Sequence, residues 1–381
     1  MNEIRNITVI GAGDMGHGIA EVALISGFKV FLQDVEQGFV DRGVSRIYRS
    51  LDKLVEKGKV PEKRYQEIKD SLLMPVVNIE AAVKETDLVI EAIPEDLELK
   101  KATFARIDKA APDHAILASN TSTMKISEIA AATGRPDRVA GLHYFNPAVL
   151  MRLVEVVRGD ATSQETIDAC KVFVKKNSKV PVVVRKDIPG FIVNRVQAPS
   201  NILLQSALDT NLVRPEEVDA MLRKSGMPMG PYEIMDFTGL DVAVGGCNYF
   251  SKHVHPDYAP GKTLVAKVKA GELGKKSGRG LYDWSGGRPE IDLEKTTDKL
   301  HPMDIAAVNI NEATRLIEME VCSAQDIDTA ITSGTGSAKG PMAMARSMDP
   351  EELSGRLDRM ADLFNKEIFR PTDMIRNGTY L

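Results

Sequence analysis

Two side chains twelve positions apart could do acid–base chemistry. His143 ends one apolar run, Val139-Ala140-Gly141-Leu142-His143, and Glu155 sits inside the next, Leu153-Val154-Glu155-Val156-Val157. A histidine can take the proton of a hydroxyl group while hydride leaves the same carbon. A carboxylate behind it would fix the imidazole tautomer and stabilise the imidazolium. A turn containing Asn146-Pro147 lets the chain reverse or cross over between the two runs, so both residues can reach one site. Spacing alone still favours the plainer alternative, a structural histidine and an unrelated strand glutamate. The same holds nearby. Ser119-Asn120-Thr121-Ser122-Thr123 offers hydroxyls to a substrate oxygen or to a helix start. Asn194, in Pro189-Gly190-Phe191-Ile192-Val193-Asn194-Arg195, can bond a carbonyl or merely cap a helix. Lys53, Lys57, Lys59 and Lys63 can meet phosphates or simply face water.

A second constellation is more specific. Ile7-Thr8-Val9-Ile10 runs directly into Gly11-Ala12-Gly13-Asp14-Met15-Gly16, and a helical pattern follows at Ile19, Val22 and Ala23. Strand, Gly-x-Gly-x-x-Gly, then helix is the order a dinucleotide pyrophosphate requires. Gly11 allows the tight turn, Gly13 lets the backbone approach phosphate, and Gly16 lets helix and strand lie close. Free N–H groups at the helix start then face the anion. Asp34 closes a second strand-like run, Phe28-Lys29-Val30-Phe31-Leu32, at the position of a ribose-binding carboxylate. Its charge would repel a 2′-phosphate, and no Arg follows immediately, so the expected cofactor is NAD rather than NADP.

These residues need a scaffold. Strand-like runs at Leu88–Ala92, Ala115–Ser119, Val139–His143, Leu153–Val157 and Val180–Val184 interleave with helical stretches, and residues 36–70 read as helical throughout. That alternation predicts an α/β, Rossmann-type doubly wound domain with mostly parallel strands. The text changes at Asp187-Ile188-Pro189-Gly190, and beyond it lie almost only helical patterns. Ala207-Leu208-Asp209 through Gly230-Pro231 resembles Leu316-Ile317-Glu318 through Gly340-Pro341, which predicts two all-α domains related by duplication. The expected domains are residues 1–185, 186–290 and 291–381.

Bulk properties narrow the class. With 381 residues, 43% hydrophobic and 27% charged, the chain has the balance of a globular protein with two or three domains. A net charge of −5 with no basic face argues against nucleic acid. No apolar run of about 20 residues argues for a membrane span. Cys170, Cys247 and Cys322 lack metal-ligand spacing, so no metal is expected and a reducing, cytoplasmic setting fits best, although a processed organellar protein would look the same.

Taken in order, GAGDMGHGIA at 11–20, EDLELK at 95–100, SNTST at 119–123, HYFNP at 143–147, LVEVV at 153–157, PGFIVNR at 189–195, MGPYEIMDFTGLD at 229–241 and KKSGRGLYDW at 275–284 resemble the L-3-hydroxyacyl-CoA dehydrogenase family. The resemblance covers residues 1 to about 285. It implies NAD-dependent interconversion of a 3-hydroxyacyl-CoA and a 3-ketoacyl-CoA, as in fatty acid β-oxidation. By the same resemblance, His143 is the general base and Glu155 its orienting carboxylate, with Ser122 and Asn194 around the reacting oxygen. Gly11, Gly13, Asp14, Met15, Gly16, Asp34, Glu95, Lys100, Ser122, Asn146 and Lys276 match positions that contact NAD. Ser50 and Lys57 match positions near the CoA moiety. A branch acting on free hydroxy acids such as L-gulonate, and non-catalytic crystallins, belong to the same family. The second helical copy departs from the short members. It lacks an equivalent of Pro189–Arg195, with His301-Pro302-Met303 near that place, and of Lys275–Gly278. It is expected to pack on the first copy and supply what a second subunit supplies elsewhere, giving a monomer with an internal pseudo-dimer or a homodimer.

Overall fold

The computed structural model describes residues 3–380. Packing divides the chain into two units. The first holds everything up to Val193 together with Glu320–Gly340, and the second holds Asn194–Met319 and the residues from Pro341 on.

The first unit is built on one eight-stranded sheet. Its strands are β1 (Asn6–Ile10), β2 (Lys29–Gln33), β3 (Leu73–Val76), β4 (Leu88–Glu91), β5 (Ile116–Ser119), β6 (Val139–Tyr144), β7 (Leu153–Arg158) and β8 (Val180–Val184), in spatial order β3-β2-β1-β4-β5-β6-β7-β8. All neighbours are parallel except β6 and β7. Strands buried on both faces read as unbroken apolar runs, which is why β1, β4 and β5 were visible as such. The sequence pattern missed β3. It is four residues long, half exposed and carries Pro75, which only an edge strand tolerates.

The order turns around at β1, whose neighbours are β2 and β4, so a crevice opens beyond the carboxyl ends of β1 and β4. Helix α1 (Gly16–Ile25) starts at that crevice, and α2 (Gln37–Glu56) packs against α1. Below the crevice Ile7, Val9, Leu24, Val30, Leu32, Ile90 and Val156 form one continuous core.

Glu21 of α1 lies within this apolar setting, 1% exposed, and one of its carboxylate oxygens has no hydrogen-bond partner. Burial pushes its carboxyl up to about 7, and a hydrogen bond from Ser50 opposes this. Between the unfolded value near 4.5 and about 7 the native state holds the extra proton, so the contribution of Glu21 to stability falls as pH rises through that window. Glu21→Gln removes the dependence. Relative to the parent, the variant is expected to gain roughly 2–3 kcal/mol between pH 4.5 and pH 8. Urea unfolding at both pH values checks this, and a pH-independent difference would contradict it.

The second unit is helical, and the repeat draws on helices of both units. Helices Val193–Asp209 and Pro302–Glu318 begin 109 residues apart, as do Pro215–Lys224 and Ala324–Thr335. The capping devices repeat too. Asp209, ending its helix, accepts N–H bonds from Lys262 and Thr263, while Glu318 accepts one from Met374. Within the second unit the two copies touch: Arg195 pairs with Glu312 at 2.5 Å, and Asp257 accepts from the Ile368 N–H. Packing and repetition divide the chain differently, because Ala324–Thr335 is a repeat helix that lies against β7 and β8 of the first unit.

Candidate active site

The nucleotide end of the crevice is built by backbone. Gly11 has φ +96°, and a Cβ there would lie 2.6 Å from the Ala92 carbonyl oxygen, so only glycine fits the turn. Gly13 has open space on the side where a side chain would stand. No side chain caps α1, which leaves its first-turn N–H groups for an anion. Asp14 is exposed and pairs with Arg46, and Met15 occupies the N-cap of α1. Asp34 follows β2. Its two oxygens accept from the Ala12 and Val35 N–H groups at 2.8 and 2.7 Å, which holds the carboxylate still with lone pairs to spare for ribose hydroxyls. A cleft of about 880 Å³ runs along Gly11, Gly13, Asp34, Val35, Phe39, Val77, Ile79, Ile93 and Leu99. Its apolar walls suit an adenine ring, and the glycine turn suits a pyrophosphate, so these residues fit NAD.

At the carboxyl ends of β4 and β5 sits a buried polar network that holds the next segment. Lys100 is 1% exposed, and its ammonium donates to Glu91 at 2.6 Å and lies 3.2 Å from Glu95. Glu91 also accepts from the Ser119 hydroxyl at 2.6 Å and from the Ile93 N–H. Glu95 accepts from the Thr121 hydroxyl and from the N–H groups of Ser122 and Thr123. Burial works to raise the Glu95 carboxyl, but Lys100, Thr121 and Ser122 outweigh it and hold it below the ordinary value. Ser122 is thus fixed through its own backbone.

The chemistry-bearing pair lies one strand further on. β6 and β7 run antiparallel, and their register sets His143 opposite Glu155. Cross-strand partners project from the same face. The His143 Nδ1 is 2.6 Å from Glu155 Oε2, with the two side chains 5% and 0% exposed. Facing a carboxylate, Nδ1 carries the proton, which leaves Nε2 as the basic nitrogen. Phe145 and Phe191 pack on the imidazole ring, with centroids 4.5 and 5.7 Å away. The second oxygen of Glu155 accepts from the Ile192 and Val193 N–H groups at 3.1 and 2.9 Å. A buried carboxylate with three donors is satisfied without water.

Sequence reasoning missed several supports. Asn120 accepts from the Tyr144 N–H at 2.9 Å and so ties the loop after β5 to the end of β6. Lys179 donates to the carbonyls of Ala148, Val149 and Met151, which pins the loop between β6 and β7 that carries Asn146. Glu91 was readable as a charge ending a buried strand, an arrangement that demands a partner.

Ser50 is half-buried on α2 beside Glu21, and Lys57 is exposed where α2 ends. Asn146 is exposed in the loop after β6. Asn194 and Lys276 belong to the helical unit, where Lys276 pairs with Asp241. Among the described residues no group of His, Cys, Asp or Glu could hold a metal ion, and no helix is long and apolar enough to cross a membrane.

Comparison with known proteins follows the same division. Residues 6–188 match the NAD binding domain of 3-hydroxyacyl-CoA dehydrogenase, and residues 190–284 and 304–378 match the C-terminal domain of the same enzyme. The 3-hydroxyadipyl-CoA dehydrogenase of Escherichia coli K12 is 32% identical over 100% of this chain and 98% of its own length. The chain belongs to the 3-hydroxyacyl-CoA dehydrogenase family. Its members are oxidoreductases, and its first domain binds NAD. A probable 3-hydroxybutyryl-CoA dehydrogenase of Bacillus subtilis is 41% identical, with 98% of its length aligned to 74% of this chain. The crystal structure of a 3-hydroxybutyryl-CoA dehydrogenase from Escherichia coli K12 superposes with a TM-score of 0.89 at 30% identity, covering 99% of this chain and 98% of that one. The eight-stranded, mostly parallel sheet followed by duplicated helices is therefore the family architecture in its longer form.

Proposed function

We propose that the protein interconverts an L-3-hydroxyacyl-CoA and a 3-ketoacyl-CoA, with His143 as general base and Glu155 as its orienting carboxylate. The observation that carries this reading is the buried His143–Glu155 pair at 2.6 Å. In the oxidative direction Nε2 of His143 takes the proton of the 3-hydroxyl group. Glu155 stabilises the imidazolium as it forms, and its charge remains on the carboxylate. Bound NAD supplies the acceptor for the hydride that leaves carbon 3. Ser122, held by Glu95, and Asn194 orient the substrate oxygen. Glu95 and Asn146 serve the nicotinamide side, Lys100 supports it through Glu95, and the family resemblance assigns Lys276 to NAD as well. Ser50 and Lys57 receive the CoA moiety. The names of the relatives, which act on CoA thioesters of short hydroxy acids, support a thioester over a free acid.

Turnover assays test the assignment. NADH consumption with acetoacetyl-CoA is expected to exceed NAD reduction with L-gulonate by at least about 100-fold in kcat/KM, a margin that a site built around specific polar contacts can deliver. Faster turnover of L-gulonate would move the protein to the free hydroxy acid branch. NADH binding without turnover of any 3-ketoacyl-CoA would mark a non-catalytic member.

A further inference from the structure

Besides the Phe191–Val193 segment, two helices cover the face of the sheet that carries His143 and Glu155. Over β6 lies the short helix Ile126–Ala130, where Ile126 and Val157 close on Gly141. Over β7 and β8 lies Ala324–Thr335, a helix of the second repeat. Side chains alternate along a strand, so Leu153, Glu155 and Val157 share this face, whereas Val154 and Val156 point into the core on the other side. Gly334 packs against β7. A Cβ on Gly334 would lie 2.7 Å from Leu153 Cδ2 and 3.6 Å from Val193 Cγ2. These are the two residues that flank Glu155: Leu153 stands two positions before it on β7, and Val193 donates its N–H to it. The segment leading into the helix is anchored as well. The Arg185 N–H donates to the Val321 carbonyl at 2.8 Å, Arg185 pairs with Asp326, and Lys186 pairs with Glu320.

Gly334 has an ordinary helical backbone, since it is absent from the left-handed glycines. At such a position alanine is the better helix former, so glycine needs another reason. The reason is proximity. Without a side chain at 334 the helix sits directly on Leu153, two positions from Glu155, which is 0% exposed. Cys322, 2% exposed just ahead of the helix, feels the same carboxylate. Burial pushes its thiol up to about 12, and the charges of Asp326 and Glu155 add to the effect.

From this geometry we infer that Gly334 of the second repeat is a positioning residue for the reaction, setting Glu155, and through it His143, by way of Leu153 and Val193. The inference rests on the reading of His143 and Glu155 given above. It gives the second repeat a part in turnover as well as in packing.

A size swap tests it in the full chain. Gly334→Val adds three carbons where Leu153→Ala removes three, and volume-conserving exchanges are the ones cores tolerate best. Gly334→Val is expected to lower kcat at least about tenfold while the Kd for NADH stays within about twofold. Adding Leu153→Ala to Gly334→Val is expected to bring kcat back to within about threefold of Leu153→Ala alone. A purely structural role predicts lower yield and thermal midpoint with unchanged kcat per folded molecule, and that outcome overturns the inference. So does a folded Gly334→Val whose loss of kcat Leu153→Ala does not repair. If Gly334→Val does not fold, Gly334→Ala serves the same comparison, with an expected drop of about threefold repaired by Leu153→Ala. An unchanged kcat in Gly334→Ala overturns the inference as well. Glu155→Gln and His143→Ala separate the two levels. Unchanged turnover in both removes the His–Glu reading itself, whereas their inactivation beside a fully active Gly334→Val removes only the role of Gly334.

Discussion

His143→Ala is expected to lower kcat by at least about 100-fold and to leave the Kd for NADH within about twofold, because general-base catalysis contributes about 100- to 10,000-fold and the proposed base acts on the substrate hydroxyl rather than on the nucleotide. The structure gives the split its physical form. The residues proposed to hold the nucleotide are the turn at Gly11–Gly16 and Asp34, which bonds the Ala12 N–H, whereas the imidazole is held by Glu155 and two phenylalanine rings. These are separate sets of bonds, so removing the ring leaves the first set intact. Glu155 is the more hazardous residue to remove, since it also serves the Ile192 and Val193 N–H groups. Glu155→Gln is the informative neighbour: it keeps the shape and loses the charge that supports an imidazolium. Steady-state kinetics with acetoacetyl-CoA, together with NADH fluorescence titration, check both variants. Unchanged kcat in His143→Ala would take the histidine out of the mechanism.

Arg195→Met destabilises the protein by about 3 kcal/mol or more, because it strands a charge where water cannot reach it. Arg195 is 6% exposed and Glu312 1%, and their 2.5 Å pair joins the first repeat to the second. Arg315 bonds the other oxygen of Glu312 at 3.1 Å from a more open position and softens the loss. Methionine keeps most of the packing of the arginine stem, so the cost is electrostatic rather than a cavity. Adding Glu312→Leu to Arg195→Met is expected to return most of the stability, as apolar replacements of buried ion pairs commonly do. Urea unfolding of the three variants checks this. Equal destabilisation by the single and double variants would point to packing instead of the stranded charge.

Much of this was legible in the residues, and what was hidden has physical causes. The glycine turn and Asp34 are local: a dozen neighbouring residues and one strand length fix them. The His143–Glu155 pair is not local. The sequence placed His143 at the end of one apolar run and Glu155 inside the next, but only the antiparallel register of β6 and β7 brings them face to face, since a shift by one residue would send Glu155 to the other side. The fixing of Ser122 through Glu95 and Lys100 was hidden for a similar reason, because a lysine on a helix gives no sign in the sequence that it points inward. The sharpest limit concerns Ala324–Thr335. Ile327, Ala330, Ile331 and Gly334 mark a buried stripe at helical spacing. That stripe says the helix has a buried face and says nothing about which surface it covers. The repeat suggested the first helical copy, whereas the stripe lies against the sheet.

That placement bears on how the polypeptide is made. A ribosome delivers the strands first, yet Glu320–Gly340 belongs to the same packed body as the strands. Until that stretch emerges, Leu153 and its neighbours on β7 and β8 must wait uncovered while well over a hundred later residues are synthesised, a long-range closure of the kind that slows folding and exposes sticky surface. A nascent chain halted ahead of Glu320 should therefore be held by chaperones, and release should come only once Gly340 has cleared the exit tunnel.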